Sequence, residues 1–213
     1  MKDSLIIVFT KNGESGKVKT RLAHDIGDEN ALIVFNVLLN HTKSVLQRIL
    51  KDGISDVEIH LSQSIDDPQW NNFTQRIQAA GDLGTKMKTA FRHGFDNGYK
   101  QIIGIGTDLP ELEVNHITKA LKALSDNDIV LGPSHDGGYY LIGMNQLYDQ
   151  LFNDIDWSTE HVLTQTLERA AGKKTELLQE ENDIDTFSDL LNSPGIQKMY
   201  NEVLNKINNT HPY

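Results

Sequence analysis

Cysteine is absent from all 213 residues. That excludes a disulfide scaffold, a thiolate nucleophile, and any zinc or iron–sulfur site built on thiolates. Proline is scarce, with 5 residues, and no Pro/Ser-rich linker or charge block divides the chain. With 38% hydrophobic and 23% charged residues, the composition is that of a folded chain, so disordered and collagen-like classes are excluded. Long apolar runs are also missing. Nothing approaches the ~18 residues of a membrane span, and the run at residues 5–9 is too short for the core of a secretory signal. The expected compartment is the cytoplasm. Basic residues are in deficit, with 20 Lys and Arg against 30 Asp and Glu, a net charge of −10 and a pI near 5.2. Nucleic acids and anionic membranes attract basic surfaces, so neither is expected as a partner. The length suits a single domain over residues 1–213.

What is present is an alternation of short β-rich runs and amphipathic stretches. Residues 4–10 form an apolar run suited to a strand buried on both faces. Helical spacing of Leu32, Phe35, Leu38, Leu39, Val45, Leu46 and Ile49 predicts a long helix over 29–51, closed at Asp52-Gly53. Further strands are expected at 56–62, 101–106, 128–132, 139–144 and 175–179. Helices are expected at 68–80, 85–97, 114–125, 159–171, 186–191 and 196–207. Strands alternating with helices imply an α/β fold with a largely parallel sheet covered on both faces. Ligands then bind beyond the carboxyl ends of the strands.

Three loops at such ends carry chemistry. After the first strand, Lys11, Lys17, Lys19 and Arg21 stand against a single acid, Glu14. In an acidic chain this loop suits phosphate oxygens, and Gly13 and Gly16 allow a tight turn around an anion; a solvated basic loop is the plainer reading. The spacing does not match the Walker A pattern. After the 101–106 strand, Asp108 is either a helix N-cap or a carboxylate for Mg²⁺ or Mn²⁺, which need only one or two protein ligands beside phosphates. Asp185, in the acidic run from Glu180 to Thr186, faces the same two readings. Asp136-Gly137-Gly138 is a strong turn signal, with Tyr139 or Tyr140 placed to stack on a base or sugar. His135 beside it hints at acid–base work, but a solvated loop histidine is the plainer reading.

Six segments, in order from end to end, resemble one family, the GT-A-fold transferases described as radical-SAM/selenodomain-associated. They are Phe9-Thr10-Lys11 with Gly16 to Ala23; Gln78 to Met87; Ile105 to Pro110; Leu131-Gly132-Pro133 with Asp136 to Gly143; Ile155 to Thr159; and Asp183 to Thr186. The resemblance implies a GT-A, or nucleotide-diphospho-sugar transferase, three-layer sandwich. Distant relatives with that fold include the 2-phospho-lactate guanylyltransferases and sugar-acid cytidylyltransferases. It also implies roles. Lys11, Gly16, Lys19 and Arg21 match the triphosphate loop, and Gly81, Asp82 and Gly84 lie in the segment near the nucleotide. Asp108 and Asp185 match the metal carboxylates for Mg²⁺ or Mn²⁺. Asp136, Gly137, Gly138, Tyr139, Trp157, Ser158 and Thr159 fall where a small-molecule acceptor sits. Lys19, Arg21 and Asp136 form the expected catalytic set. This chain has Asn12-Gly13-Glu14-Ser15 where the family loop usually has prolines, so Glu14 places a like charge toward phosphate.

Two chemistries suit this pattern, nucleotidyl transfer from an NTP and glycosyl transfer from a nucleotide sugar. The cationic loop suits a triphosphate better than a metal-neutralised diphosphate, which tilts the expectation to nucleotidyl transfer. An inverting glycosyltransferase needs a general base, and Asp136 is its candidate. A third possibility is a nucleotide-binding module without turnover; the paired carboxylates Asp108 and Asp185 argue against it.

Overall fold

Apolar runs too short for helices become the strands of one sheet. In the computed structural model, which describes residues 2–193, 195, 196, 198, 199 and 201, the run at the N-terminus is strand β1 (Ser4–Thr10), buried almost throughout. Its side chains alternate as the pleat requires. Leu5 and Ile7 enter one core layer, Ile6 and Val8 the other. The remaining strands are β2 (Asp56–Leu61), β3 (Thr74–Ile77), β4 (Gln101–Ile105), β5 (Ile129–Pro133), β6 (Tyr139–Met144) and β7 (Thr175–Leu177). They lie in the order β3-β2-β1-β4-β6-β5-β7. Neighbours are parallel except that β6 runs antiparallel to both β4 and β5.

The helices are α1 (Thr20–Ile26), α2 (Asp28–Lys51), α3 (Leu83–Asp96), α4 (Val114–Ala123), α5 (Val162–Arg169) and α6 (Phe187–Asn192). Phe35, Leu46 and Ile49 of α2 and Ile117 and Ala120 of α4 pack on the Ile6/Val8 face. Met87, Ala90 and Phe91 of α3 pack on the Leu5/Ile7 face, with partly buried Leu163 and Leu167 of α5 beside them. The result is the expected three-layer α/β sandwich. A third, smaller cluster joins Leu22 of α1 and Val34 and Leu38 of α2 to Ile184 and Leu190. This cluster brings the C-terminal acidic turn against the loop that follows β1.

The expected helix over 68–80 is a correction. Only Pro68–Trp70 forms a single 3₁₀ turn, and β3 follows it. Trp70 is fully buried and makes an edge contact with Phe73 at 5.5 Å, so the chain is pinned after one turn. Thr74–Ile77 then pairs in parallel with Glu58–Leu61. Helix α1 was not foreseen, because seven residues carry too little periodicity to register. The expected helix over 196–207 falls largely outside the described residues.

On the β2–β3 edge, Glu58 is buried and accepts from Arg76 Nε at 2.7 Å and Arg76 Nη2 at 3.2 Å; His60 Nε2 lies 3.4 Å away. Burial alone would push the Glu58 carboxyl up. The hydrogen bonds from His60 and Arg76 and the guanidinium charge override it and hold it at about 2. A carboxylate with a depressed folded-state pKa stabilises the fold above its ordinary pKa and loses that contribution as pH falls through the folded value. Replacing Glu58 with Gln is therefore expected to cost about 2 kcal/mol at pH 7, allowing for the exposure of Arg76. Urea denaturation should show the gap closing as pH falls from about 4.5 to about 2. A gap independent of pH would refute the assignment.

Candidate active site

The carboxyl ends of β1 and β4 meet at a hydrogen bond between Thr10 Oγ1 and Thr107 Oγ1, 3.3 Å. The loop after β1 is tied down by Asn12, which is buried. Its Oδ1 accepts from the amides of Gln63 and Ser64, at 3.0 and 3.3 Å, and its Nδ2 donates to Ser64 and Asp67. Gln78 Nε2 donates to the carbonyls of Thr10 and His60, at 3.0 and 2.8 Å, bridging the ends of β1 and β2. Neither residue was singled out from sequence. A neutral amide in a polar loop gives no hint that it will be an anchor.

The cations of this loop have separate fates. Lys17 pairs with Glu14 at 2.6 Å, so the extra acid is neutralised within the loop. Lys11 is exposed, with its Nζ 3.4 Å from the Lys17 carbonyl, and Arg21 is exposed on α1. Gly16 adopts φ +75 at the bend, a left-handed conformation that glycine takes without strain. Lys19 turns inward. Its backbone is also left-handed, at φ 47 and ψ 44, at the N-cap of α1, a conformation that costs a non-glycine residue of order 1–3 kcal/mol.

Lys19 Nζ lies 2.5 Å from Asp108 Oδ1, 3.2 Å from Asp185 Oδ1 and 2.5 Å from the Ile184 carbonyl. Its side chain is 3% exposed, whereas those of Asp108 and Asp185 are 43% and 46% exposed. The two carboxylates are thus joined from within and open from without. Burial pulls the Lys19 pKa down, but the charges of Asp108 and Asp185 outweigh it and leave it raised. The Ile184 amide donates to the Asp108 carbonyl at 3.0 Å, which fixes the two segments together. Neither aspartate is a helix cap. Thr186 caps α6 in a reciprocal box with Asp189, and Glu113 with His116 opens α4.

Asp183 lies beside them. Its Oδ1 is buried and makes no hydrogen bond. Burial first, then the negative charge of Asp108, pushes its carboxyl up to about 8; Asp136 and Asp185 add to the shift and Lys19 opposes it. Asp183 and Asp108 line a cleft of about 250 Å³ with Phe9, Met87, Gly106, Tyr139 and Tyr140. Asp183 was not among the expected site residues, although its spacing from Asp185 in the same turn was a usable signal.

Of the remaining expected residues Tyr139 lines this cleft, and several others have structural roles. Asp82 caps α3 by accepting from the Thr85 amide at 2.8 Å, and this hydrogen bonding keeps its carboxyl below the ordinary range. Gly81, at φ +117, makes the turn into that cap. Gly84 has a packing role as well: a Cβ there would lie 2.6 Å from both the Phe152 carbonyl oxygen and Trp157 Nε1. Its bare face is used by packing, which seats Trp157 against α3. The Tyr139 ring lines the cleft, but its hydroxyl is buried, beside Thr166, and makes no hydrogen bond. Tyr140 is a core residue whose hydroxyl donates to the Gln179 carbonyl.

Asp136 Oδ1 accepts from Ser134 Oγ at 2.6 Å and from the Gly138 amide at 2.9 Å, so it braces the turn. Gly137 receives the Leu163 amide on its carbonyl at 2.9 Å, which docks the turn onto the segment that carries Trp157, Ser158 and Thr159. Ser158 is exposed with φ 65. Thr159 Oγ1 donates to the Asp156 carbonyl at 2.7 Å.

Among the described residues no three or more His, Asp or Glu side chains are grouped to hold a metal ion. A divalent ion carried on substrate phosphates needs only one or two protein carboxylates. Asp108 and Asp185 provide two, both partly exposed, and would hold such an ion. The donor set, all oxygen, suits Mg²⁺ or Mn²⁺. No helix among the described residues is long and apolar enough to cross a membrane.

Comparison with known proteins places the family and the fold. A 2-phospho-L-lactate guanylyltransferase of Methanocaldococcus jannaschii is 28% identical over 127 residues, covering 59% of this chain and 53% of that protein. The chain thus spans about half the length of that relative. A crystal structure described as a candidate nucleotide-diphospho-sugar transferase from Desulfovibrio desulfuricans G20 superposes with a TM-score of 0.81. It is 28% identical, over 95% of this chain and 98% of that one. A 4-diphosphocytidyl-2C-methyl-D-erythritol synthase from Anaerococcus prevotii DSM 20548 shares the fold at TM-score 0.58 and 11% identity, over 92% and 98% of the two chains. Residues 45–159, just over half of the chain, match the family described as "Uncharacterized protein conserved in bacteria (DUF2064)". The chain belongs to the DUF2064 family and carries the fold of the nucleotidyltransferase and nucleotide-sugar transferase superfamily.

Proposed function

We propose that the chain is a metal-dependent nucleotidyltransferase, a single-domain cytoplasmic enzyme that moves a nucleotidyl group from an NTP to a small phosphorylated or acidic acceptor. One observation carries this reading: Asp108, after β4, and Asp185, in the turn before α6, converge on Lys19 of the cationic loop. In this reading Asp108 and Asp185 hold Mg²⁺ or Mn²⁺, which supplies positive charge to the phosphates as pyrophosphate departs. Lys11 and Arg21, both exposed, receive the β- and γ-phosphates. An oxygen of the acceptor attacks the α-phosphorus, and the bond to the bridging oxygen of pyrophosphate breaks. The turn at residues 134–138 and the docked segment around Trp157 form the wall that orients the acceptor. The guanylyltransferase relative supports a triphosphate donor.

Glycosyl transfer is the second reading, supported by the Desulfovibrio desulfuricans relative. Its general base would be Asp136. That residue already accepts two hydrogen bonds on Oδ1 within its own turn, so it serves better as a brace than as a base. A thermal-shift panel of the four NTPs and common NDP-sugars, each with and without Mn²⁺, separates the two. Stabilisation by an NTP, dependent on Mn²⁺, is the expected result. Stabilisation by NDP-sugars alone would favour glycosyl transfer, and no shift from any of them would favour a module without turnover.

A further inference from the structure

We propose that Lys19 is an internal counter-ion for the candidate metal site. In the metal-free protein its ammonium stands between Asp108 and Asp185, and a divalent ion displaces it. The inference rests on the reading that these two carboxylates hold the metal. An ammonium has three N–H donors, and all three are committed, to Asp108 Oδ1, Asp185 Oδ1 and the Ile184 carbonyl. Lys19 therefore cannot donate to a phosphate from this position, although it sits on the loop expected to bind one. Its side chain is shut off from solvent while both carboxylates face outward, so an incoming cation meets the carboxylates before the lysine.

Charge favours the exchange. One ammonium cannot neutralise two carboxylates, whereas a divalent ion can. Its arrival releases a positive charge at the point where triphosphate oxygens bring negative charge. Lys19 stands at the N-cap of α1, ahead of its first turn, and its ammonium sits at the end of a flexible four-carbon stem. Lys19 would then serve twice, first keeping two adjacent carboxylates from repelling each other in the empty enzyme and then pairing with phosphate in the loaded one. The same residue makes metal and triphosphate binding cooperative, since each frees the partner the other needs.

The test uses Mn²⁺ alone, without nucleotide, in two measurements. In the wild-type protein, the Lys19 amine should resist acetylation by an amine-reactive ester. Saturating Mn²⁺ should speed its labelling at least about tenfold, read by peptide mass spectrometry with Lys51 and Lys100 as exposed controls. In calorimetry, Lys19→Met should bind Mn²⁺ at least about tenfold more tightly than wild type, because its competitor is gone, while Lys19→Arg should stay close to wild type. Labelling that ignores Mn²⁺, or a methionine variant that binds Mn²⁺ no better, overturns the counter-ion role. If Lys19→Met does not fold, the wild-type labelling result decides alone. Failure of the underlying metal reading looks different: Mn²⁺ then fails to bind the wild type even with an NTP present.

Discussion

Asp108→Asn is expected to weaken Mn²⁺-dependent NTP binding by about a hundredfold or more, equivalent to ~2.7 kcal/mol. The substitution keeps the shape of the side chain and removes its charge. It acts on the carboxylate nearest Lys19, at 2.5 Å, and on one of only two carboxylates proposed to hold the metal. A divalent ion attracts a carboxylate far more strongly than an amide, and the remaining partner, Asp185, cannot compensate from one side. Binding of NTP without metal should not fall, because Lys11 and Arg21 are untouched and Lys19 is held less tightly. That split, read by calorimetry with and without Mn²⁺, separates loss of a ligand from general damage. Unchanged metal dependence would remove Asp108 from the metal site.

The second large effect is structural. Gly137→Ala should cost about 3 kcal/mol in urea denaturation, combining left-handed strain with a steric overlap. Gly137 has φ +85, and a Cβ there would lie 2.2 Å from the Glu160 carbonyl oxygen. The three nearest atoms are all Glu160 backbone, so no side-chain rotation relieves the contact. The turn would have to lift from the segment around Trp157, and the proposed acceptor wall would open. A stability within 1 kcal/mol of wild type, about what a mild surface change gives, would show that the docked turn is not needed.

Much of the fold could be read from hydrophobic pattern. The β1 run and the 24-residue α2 were placed nearly to the residue, because each holds one period over its whole length. Where two signals competed, the reading failed. The 68–77 stretch has helix-compatible spacing, yet Trp70 needs a deep pocket and Arg76 finds Glu58 across the sheet edge. Those are tertiary gains that no local period records. At the site, residue types and order pointed to Lys19, Asp108 and Asp185 individually. Their convergence followed from the family resemblance, which puts Asp108 and Asp185 on one metal, and not from any local pattern, because Lys19 and Asp185 lie 166 residues apart.

The sequence also could not say which cations of the loop are free. Composition counts Lys11, Lys17, Lys19 and Arg21 alike. Folding commits Lys17 to Glu14 and Lys19 to the aspartates, and leaves Lys11 and Arg21 exposed. The charge argument for a triphosphate therefore rests on two exposed cations at first, and on a third only if the metal releases Lys19. The glycines divide the same way. Gly137 and Gly84 are required by close contacts with Glu160, and with Phe152 and Trp157, none of which is near in sequence.

The most direct measurement is calorimetric titration of the wild-type chain, in Mn²⁺, with the preferred NTP, the matching NDP and the matching NDP-sugar. Nucleotidyl transfer across a metal held by Asp108 and Asp185 predicts that the NTP binds at least about tenfold more tightly than either diphosphate ligand, and that this preference vanishes when Mn²⁺ is chelated. An NDP-sugar that binds as tightly as the NTP, or an NTP preference that survives chelation, would contradict it.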